Sequence, residues 1–246
     1  MVAAPVGFQC PACVAEAARR VPPTRTTLGG RVSRRPRRAT QVLIGLNAVA
    51  YVLTLLSGQR LLIDYGMLGA AIAGGEWWRL VTAPFLHAGL WHVGLNMLAL
   101  WVLGGSLEPM LGRWRFVAVY LLSGLGGATA SYLFSDPGVL SVGASGAVFG
   151  LLGAILVALR RLNRDTSGVV VLLLVNVVLG FAFPRIDWRA HLGGFVVGAA
   201  LTVAFVYAPA RYRTAIGWGT TAGILVLLGW LVGWRSEQIL VLAGLA

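Results

Sequence analysis

The residues best suited to chemistry in this sequence are a serine and a histidine at the starts of two apolar segments. Ser145 lies in GASGAVFG, residues 143–150, and His191 lies in AHLGGFVVG, residues 190–198. A serine hydroxyl is a poor nucleophile at neutral pH unless a base removes its proton. A neutral imidazole can accept that proton and later return it to a leaving amine. The two segments therefore predict a serine–histidine pair for nucleophilic acyl transfer.

Glycines bracket the candidate nucleophile. Gly143 and Gly146 stand on either side of Ser145. Glycine permits a tight approach of one backbone to another and leaves amide hydrogens free at the start of a helix. Such amides can stabilise the oxyanion that forms when a hydroxyl attacks a carbonyl. The pattern is therefore consistent with an oxyanion site beside the serine.

The same glycines also have a structural interpretation. One GxxxG pattern begins at Gly146, and Gly194 with Gly198 forms a second. Such patterns are typical of helices that cross at short distance in membranes. The catalytic and structural interpretations can hold together, because a close crossing would bring Ser145 and His191 to the same depth.

A second pair of polar residues lies in HAGLWHVGLNM, residues 87–97. His92 and Asn96 are spaced i to i+4, so they share one face of a helix. Both side chains can donate hydrogen bonds toward a developing oxyanion, beside the amide of Ser145. A single asparagine in a membrane more often joins two helices by hydrogen bonds, and this alternative stays open.

The histidines could instead bind a metal ion. His87 and His92 are five residues apart, about 140° around a helix, and no HExxH motif completes a ligand set. We therefore predict no metal at these residues, and no cofactor.

No carboxylate is placed to orient His191. Asp136 and Asp187 fall in outer loops, and Glu108 falls at the inner end of the second span. A three-residue triad needs an acid that holds the imidazole. We therefore expect a dyad.

Composition places these residues in a membrane. Of the 246 residues, 58% are hydrophobic and 11% are charged, and the mean hydropathy is +0.80. No water-soluble core of this size needs such a balance. A helix of roughly 20 apolar residues spans a bilayer. We predict an all-α membrane protein with spans at residues 42–58, 90–107, 116–134, 145–160, 168–183, 190–208 and 216–234.

The charge distribution orients the bundle. The net charge of +12 comes from twenty arginines, without lysine, against eight acids. These arginines are scattered between apolar spans apart from those in residues 1–38, which argues against nucleic acid as a partner. Fifteen lie before the first span or in alternate loops, and five lie on the other side. The positive-inside rule makes the N-terminus cytoplasmic and puts the starts of the second, fourth and sixth spans at the outer face.

These motifs resemble those of the rhomboid proteases. The resemblance rests on GASG, on the histidines and NM of the second span, on AHLGGFVVG, on WWRLVTAPFLHAG and on GGSLEPMLG. It covers residues 42–208 and implies a rhomboid-like bundle of six core helices. The additional C-terminal span, within residues 209–246, is typical of the six-plus-one forms. Residues 1–41 are then an Arg-rich cytoplasmic segment.

The resemblance also implies residue roles. Ser145 would be the nucleophile and His191 the general base. His92 and Asn96 would contact the oxyanion together with the amide of Ser145. His87 would be structural.

Two features depart from the family pattern. Phe149 stands where a number of relatives have a tyrosine under the catalytic histidine, so ring stacking can persist but a phenolic hydrogen bond cannot. GFQCPACVAEAARR, at the N-terminus, resembles the end of a zinc-binding segment found ahead of some actinobacterial rhomboids. Zinc requires four ligands, and only Cys10 and Cys13 are present. The segment is a remnant, or its other ligands lie upstream.

The resemblance implies an intramembrane serine endopeptidase that cuts transmembrane proteins in or near their membrane segments, with its site open to the outer face. Exclusive use of arginine with abundant Ala and Gly suggests a bacterium with a GC-rich genome, and thus the plasma membrane. The alternative is a non-proteolytic rhomboid-like protein that binds transmembrane segments, although such proteins typically lack the serine or the histidine. A transporter would show a membrane-embedded acid or an inverted repeat, and neither is evident.

Overall fold

The computed structural model describes residues 2–3, 7–20, 25–33, 35–183 and 186–245. Arg34 and Arg185, which the orientation argument counts, and residues 21–24 of the N-terminal segment lie outside the described residues. The elements, in chain order, are β1 Val2–Ala3, β2 Phe8–Gln9, α1 Pro11–Arg20, α2 Arg38–Leu56, α3 Arg60–Tyr65, β3 Met67–Leu68, α4 Gly69–Ala73, α5 Arg79–Thr82, a 3-10 helix Ala83–Phe85, α6 Leu90–Leu111, α7 Arg113–Phe134, β4 Leu140–Ser141, α8 Ser145–Arg161, α9 Ser167–Ala182, α10 Trp188–Tyr207 and α11 Arg213–Leu242.

Each predicted span coincides with a helix of the bundle. Within the described ranges, five helices are long and apolar enough to cross a membrane, namely α2, α6, α7, α10 and α11. The helices α8 and α9 are shorter, with 17 and 16 residues. The chain is therefore a helical membrane bundle, and the count of seven spans stays a prediction.

The last helix continues beyond its predicted end at residue 234. It runs to Leu242, through a stretch that contains charged residues. The hydroxyls of Ser236 and Tyr132 lie 2.7 Å apart, and Ile239 is buried against the bundle. These contacts with α7 and with the segment before α5 stabilise the extra turns.

A compact segment between α2 and α6 reaches the strand that precedes Ser145. Arg79 holds this segment together: its guanidinium donates to Glu76 at 2.6 Å and to the carbonyl oxygens of Ile63 and Gly66 at 2.6 and 3.0 Å. Strand β3 of this segment pairs antiparallel with β4, and Met67 lies opposite Ser141. The segment thereby fixes the chain just before α8.

The start of α2 is held by a carboxylate that lies far away in the sequence. Glu108, buried near the end of α6, accepts hydrogen bonds from the amides of Ala39 and Thr40 at 3.0 and 2.9 Å. It also accepts one from the Thr40 hydroxyl. A carboxylate at a helix N-terminus pairs with free amides and with the helix dipole. Glu108 therefore joins α2 to α6.

Part of the Arg-rich N-terminal segment packs on the bundle. Residues 25–33 form a turn in which the amide of Thr26 donates to Gly30 and the amide of Gly29 donates back to Thr26. Leu28, on this turn, is buried in the main hydrophobic core. A side chain added at Gly30 would overlap the carbonyl oxygen of Leu111. The turn is therefore docked against the end of α6.

Candidate active site

Ser145 is the first residue of α8. The loop before it is fixed by two hydrogen bonds: the amide of Gly143 donates to the carbonyl oxygen of Ala83 at 3.0 Å, and the amide of Ala144 donates to Nε2 of His87 at 3.5 Å. Gly143 has φ = 131°, a conformation that side chains rarely adopt. The first amides of a helix have no intrahelical acceptor. The amide of Ser145 is therefore available to a ligand oxygen.

His87 supports this loop through its hydrogen bond with the amide of Ala144. Its side chain is fully buried, next to the ring of His92 at a centroid distance of 5.0 Å and an angle of 70°. Burial, and secondarily the neighbouring His92, lower the pKa of His87 to about 4. A neutral imidazole has one nitrogen that accepts a hydrogen bond. His87 is therefore in the form that can accept the amide of Ala144.

The helices α8 and α10 cross backbone to backbone. A side chain added at Gly194 would overlap the carbonyl oxygen of Gly146, and one added at Gly198 would overlap that of Gly150. Neither position can therefore hold any residue larger than glycine without a shift of main chain. The two GxxxG patterns lie at this contact, and they fix the amino ends of both helices at one level.

His191 lies beside the face of α8 that carries the serine. Its imidazole stacks on the ring of Phe149, with centroids 4.0 Å apart and planes at 9°. Phe149 follows Ser145 by one helical turn, so both occupy the same face. In the described part of the chain the Ser145 hydroxyl makes no hydrogen bond with the imidazole. Such bonds often tighten only when substrate is bound.

His92 and Asn96 approach the serine loop from α6. A Cβ added at Gly143 would lie 2.6 Å from Nε2 of His92, so the imidazole rests against the loop. Asn96 is buried, and its amide nitrogen donates one hydrogen bond to the carbonyl oxygen of His92 at 2.8 Å. An Asn amide has two donor hydrogens. The second remains for another acceptor.

Sequence reasoning missed the contribution of Asp187. Its carboxylate caps α10 by accepting from the amide of Ala190 at 3.2 Å, and it also accepts from the hydroxyls of Ser131 and Ser141. The Asp187 carbonyl oxygen accepts from the amide of His191 at 3.2 Å. Through these contacts Asp187 attaches the first turn of α10, which carries His191, to α7 and to β4. An aspartate just before an apolar helix is an N-cap signal that the sequence offered.

Among the residues that the structure describes, no three His, Cys, Asp or Glu side chains are placed to hold a metal ion. Cys10 and Cys13 are exposed thiols. The arrangement instead offers a hydroxyl, an imidazole, free amides and further donors at one end of three helices, which can serve acyl transfer.

The fold and the site together define the class of this protein. It is a polytopic membrane protein with a candidate hydrolytic centre, in which a serine and a histidine lie at the same end of two crossing helices. The Rhomboid domain family model matches residues 74–208, more than half of the chain. The chain belongs to the rhomboid family.

Named relatives agree with this membership. Rhomboid protease GluP of Bacillus subtilis (strain 168) is 40% identical over 169 residues, which cover 65% of this chain and 33% of that protein. Putative rhomboid protease YdcA of the same organism is 37% identical over 136 residues, covering 53% and 68%. Rhomboid-type serine protease 2 of Emericella nidulans is 35% identical over 159 residues, covering 62% and 31%. The chain thus spans about a third of the length of GluP and of the E. nidulans protein.

Proposed function

We propose that this chain is an intramembrane serine endopeptidase in which Ser145 is the nucleophile and His191 the general base. The observation that carries the proposal is the stack of His191 on Phe149, one turn below Ser145 on the same face of α8. The stack supports an imidazole at the amino-terminal part of the helix that begins with Ser145. The names of GluP and of the E. nidulans relative, a protease and a serine protease, support the same chemistry.

The proposed reaction proceeds through an acyl-enzyme. The Ser145 oxygen attacks the peptide carbonyl carbon while its proton passes to the imidazole of His191. The tetrahedral intermediate then collapses, the C–N bond breaks and the imidazolium returns the proton to the leaving amine. Water attacks the ester, with His191 as base again, and restores the hydroxyl. No third acid is assigned, because the carboxylate of Asp187 is bonded to two hydroxyls and an amide.

The oxyanion has three proposed donors. They are the amide of Ser145, the imidazole of His92 and the second amide hydrogen of Asn96. The close contact of His92 with Gly143 supports this assignment, since it brings the ring to the loop that ends at the serine. Donors fixed before the charge forms lower the barrier, and loss of one typically costs about 10²-fold in rate.

The proposed substrates are transmembrane proteins in the lipid bilayer. A formed helix hides its carbonyls in backbone hydrogen bonds, so a substrate segment has to unwind at the serine. The arginine distribution supports a cytoplasmic N-terminus and a site that opens to the outer face of the plasma membrane. In this scheme residues 42–208 are the protease core, residues 1–41 a cytoplasmic segment and residues 209–246 the seventh helix with its tail.

The test is cleavage of a tagged model transmembrane substrate in liposomes. Ser145→Ala and His191→Ala are compared with the wild-type protein and with Ser106→Ala, an exposed serine on α6. We expect Ser106→Ala to retain full activity and the other two to lose it by orders of magnitude at equal folded yield. Activity in Ser145→Ala would contradict the assignment. A wild-type protein that captures several substrates and cuts none would instead favour the non-proteolytic binding alternative.

A further inference from the structure

A cavity lined by arginines lies at the opposite end of the bundle from Ser145. Its volume is about 460 Å³. The docked N-terminal turn, the start of α7 and the start of α11 form its walls. We call it the arginine cavity. Its charged and aromatic lining residues are Arg25, Arg31, Arg113, Arg115, Trp114 and Trp218.

Most of the positive charge in this cavity has no carboxylate partner among the residues that the structure describes. Arg115 is only 8% exposed, and its guanidinium donates to the carbonyl oxygen of Leu28 at 3.2 Å. Arg25 lines the same cavity, and the guanidinium of Arg213 packs against Gly29 in its wall. In the described part of the chain no carboxylate forms an ion pair with Arg25, Arg31 or Arg115. A buried charge without a counter-ion is costly.

The nearest carboxylate is already engaged. Glu108 lies 3.8 Å from Nε of Arg113, but its oxygens accept three hydrogen bonds from Ala39 and Thr40. Within the described ranges, the buried Nε of Arg113 has no hydrogen-bond partner. The cavity therefore presents guanidinium donors and an excess of positive charge.

Two helix N-termini add to this field. The helix α7 begins at Arg113, and α11 begins at Arg213, next to Thr214 in the cavity wall. The first amides of a helix have no intrahelical acceptor, and the helix dipole places partial positive charge at this end. Helix N-termini beside arginines form the type of site that binds phosphate oxygens.

Two tryptophans in the cavity lining are typical of a site at the membrane boundary. Trp114 and Trp218 are both exposed on the bundle surface. Tryptophan is enriched at the level of lipid headgroups. We propose that the arginine cavity binds the phosphate group of an anionic ligand, supplied by a phospholipid headgroup or by free phosphate. The proposal is independent of the peptidase chemistry, because it involves the other end of the bundle.

The test is a calorimetric titration of the full-length protein in dodecyl maltoside. The probes are dihexanoyl phosphatidylglycerol and inorganic phosphate, and dihexanoylglycerol, which lacks phosphate, is the control ligand. Arg25→Gln with Arg31→Gln removes two exposed arginines of the cavity. Arg160→Gln with Arg164→Gln removes the same charge from exposed positions in the last turn of α8 and just after it. Val32→Glu leaves every arginine in place and puts a carboxylate in the cavity wall.

We expect saturable binding of a phosphate-bearing probe and none of dihexanoylglycerol. The Arg25/Arg31 pair and Val32→Glu should each weaken binding by about tenfold or more, with the Arg160/Arg164 pair unchanged. Binding of phosphatidylglycerol alone identifies a lipid headgroup, binding of phosphate alone a soluble ligand, and binding of both shows that the phosphate group suffices. No binding by either probe, or equal loss in the control pair, overturns the proposal.

Discussion

The imidazole of His191 lies flat on the ring of Phe149, with centroids 4.0 Å apart and planes at 9°. The contact joins the first turn of α10 to α8 beside the glycine crossing, since Phe149 lies between Gly146 and Gly150. It restricts rotation of the imidazole, because a stacked ring cannot turn without loss of its contact area. The ring orientation of the proposed base is therefore set by a phenylalanine.

Replacement of Phe149 tests this restriction. Stacked aromatic pairs contribute about 0.5–1.5 kcal/mol, so Phe149→Leu should reduce kcat by a factor of about 2 to 13 with little change in KM. Phe149→Tyr keeps the ring and should stay near wild type. Substrate cleavage rates in liposomes provide the measurement. An unaffected Phe149→Leu would show that the stack does not orient the base.

Gly198→Ala should destabilise the bundle and inactivate it. Its added methyl group would overlap the main chain of Gly150, so α8 and α10 have to move apart. Overpacking of this kind costs about 1–3 kcal/mol. The matched control is Gly229→Ala on α11, where an added Cβ meets no atom within 4 Å. Thermal unfolding and cleavage rates of the two variants should differ, and equal behaviour would contradict a close crossing.

Asp187→Ala should lower both stability and activity. Loss of the helix cap costs about 1 kcal/mol, and the hydroxyls of Ser131 and Ser141 lose their acceptor. Asp165→Ala is the control, since that acid is exposed beyond the other end of α8 and accepts hydrogen bonds from its sequence neighbour Ser167. We expect a lower melting temperature and a lower kcat for Asp187→Ala alone. A melting temperature equal to that of the control would exclude a capping role.

His87→Leu should loosen the loop that precedes the serine. The amide of Ala144 would lose its acceptor in a buried position. An unsatisfied buried amide costs about 1–3 kcal/mol. Hydrogen exchange at residues 143–148 should therefore accelerate, and cleavage should slow. His87→Gln, which can still accept the bond, is expected to fall between wild type and His87→Leu.

The sequence predicted the helical bundle because apolar length and glycine spacing are local properties. The helix boundaries near Ser145 and His191 agree with their motifs for the same reason. The glycines that let α8 and α10 cross are visible as GxxxG patterns in each helix separately. The GxxxG patterns alone therefore suggest that these two helices approach each other.

The long-range polar contacts could not be predicted from the sequence. Glu108 binds amides that lie almost seventy residues earlier, and nothing near it in the chain indicates the start of α2. Asp187 could be proposed as a cap, but its contacts with Ser131 and Ser141 depend on how α7 and β4 approach it. The docking of the turn at Leu28 cannot be predicted from the sequence, because one leucine among arginines and glycines has no periodicity. Such contacts follow from tertiary packing alone.

The backbone contact between α8 and α10 also limits how this protein can diverge. Most enzymes adjust the spacing of two reactive groups by exchanging side chains between the elements that carry them. Here glycine meets glycine, so no exchangeable atoms lie in between. Adaptation to new substrates is therefore expected in the segments at residues 59–89 and 135–144, which surround the serine. The crossing itself should remain almost invariant among descendants of this chain.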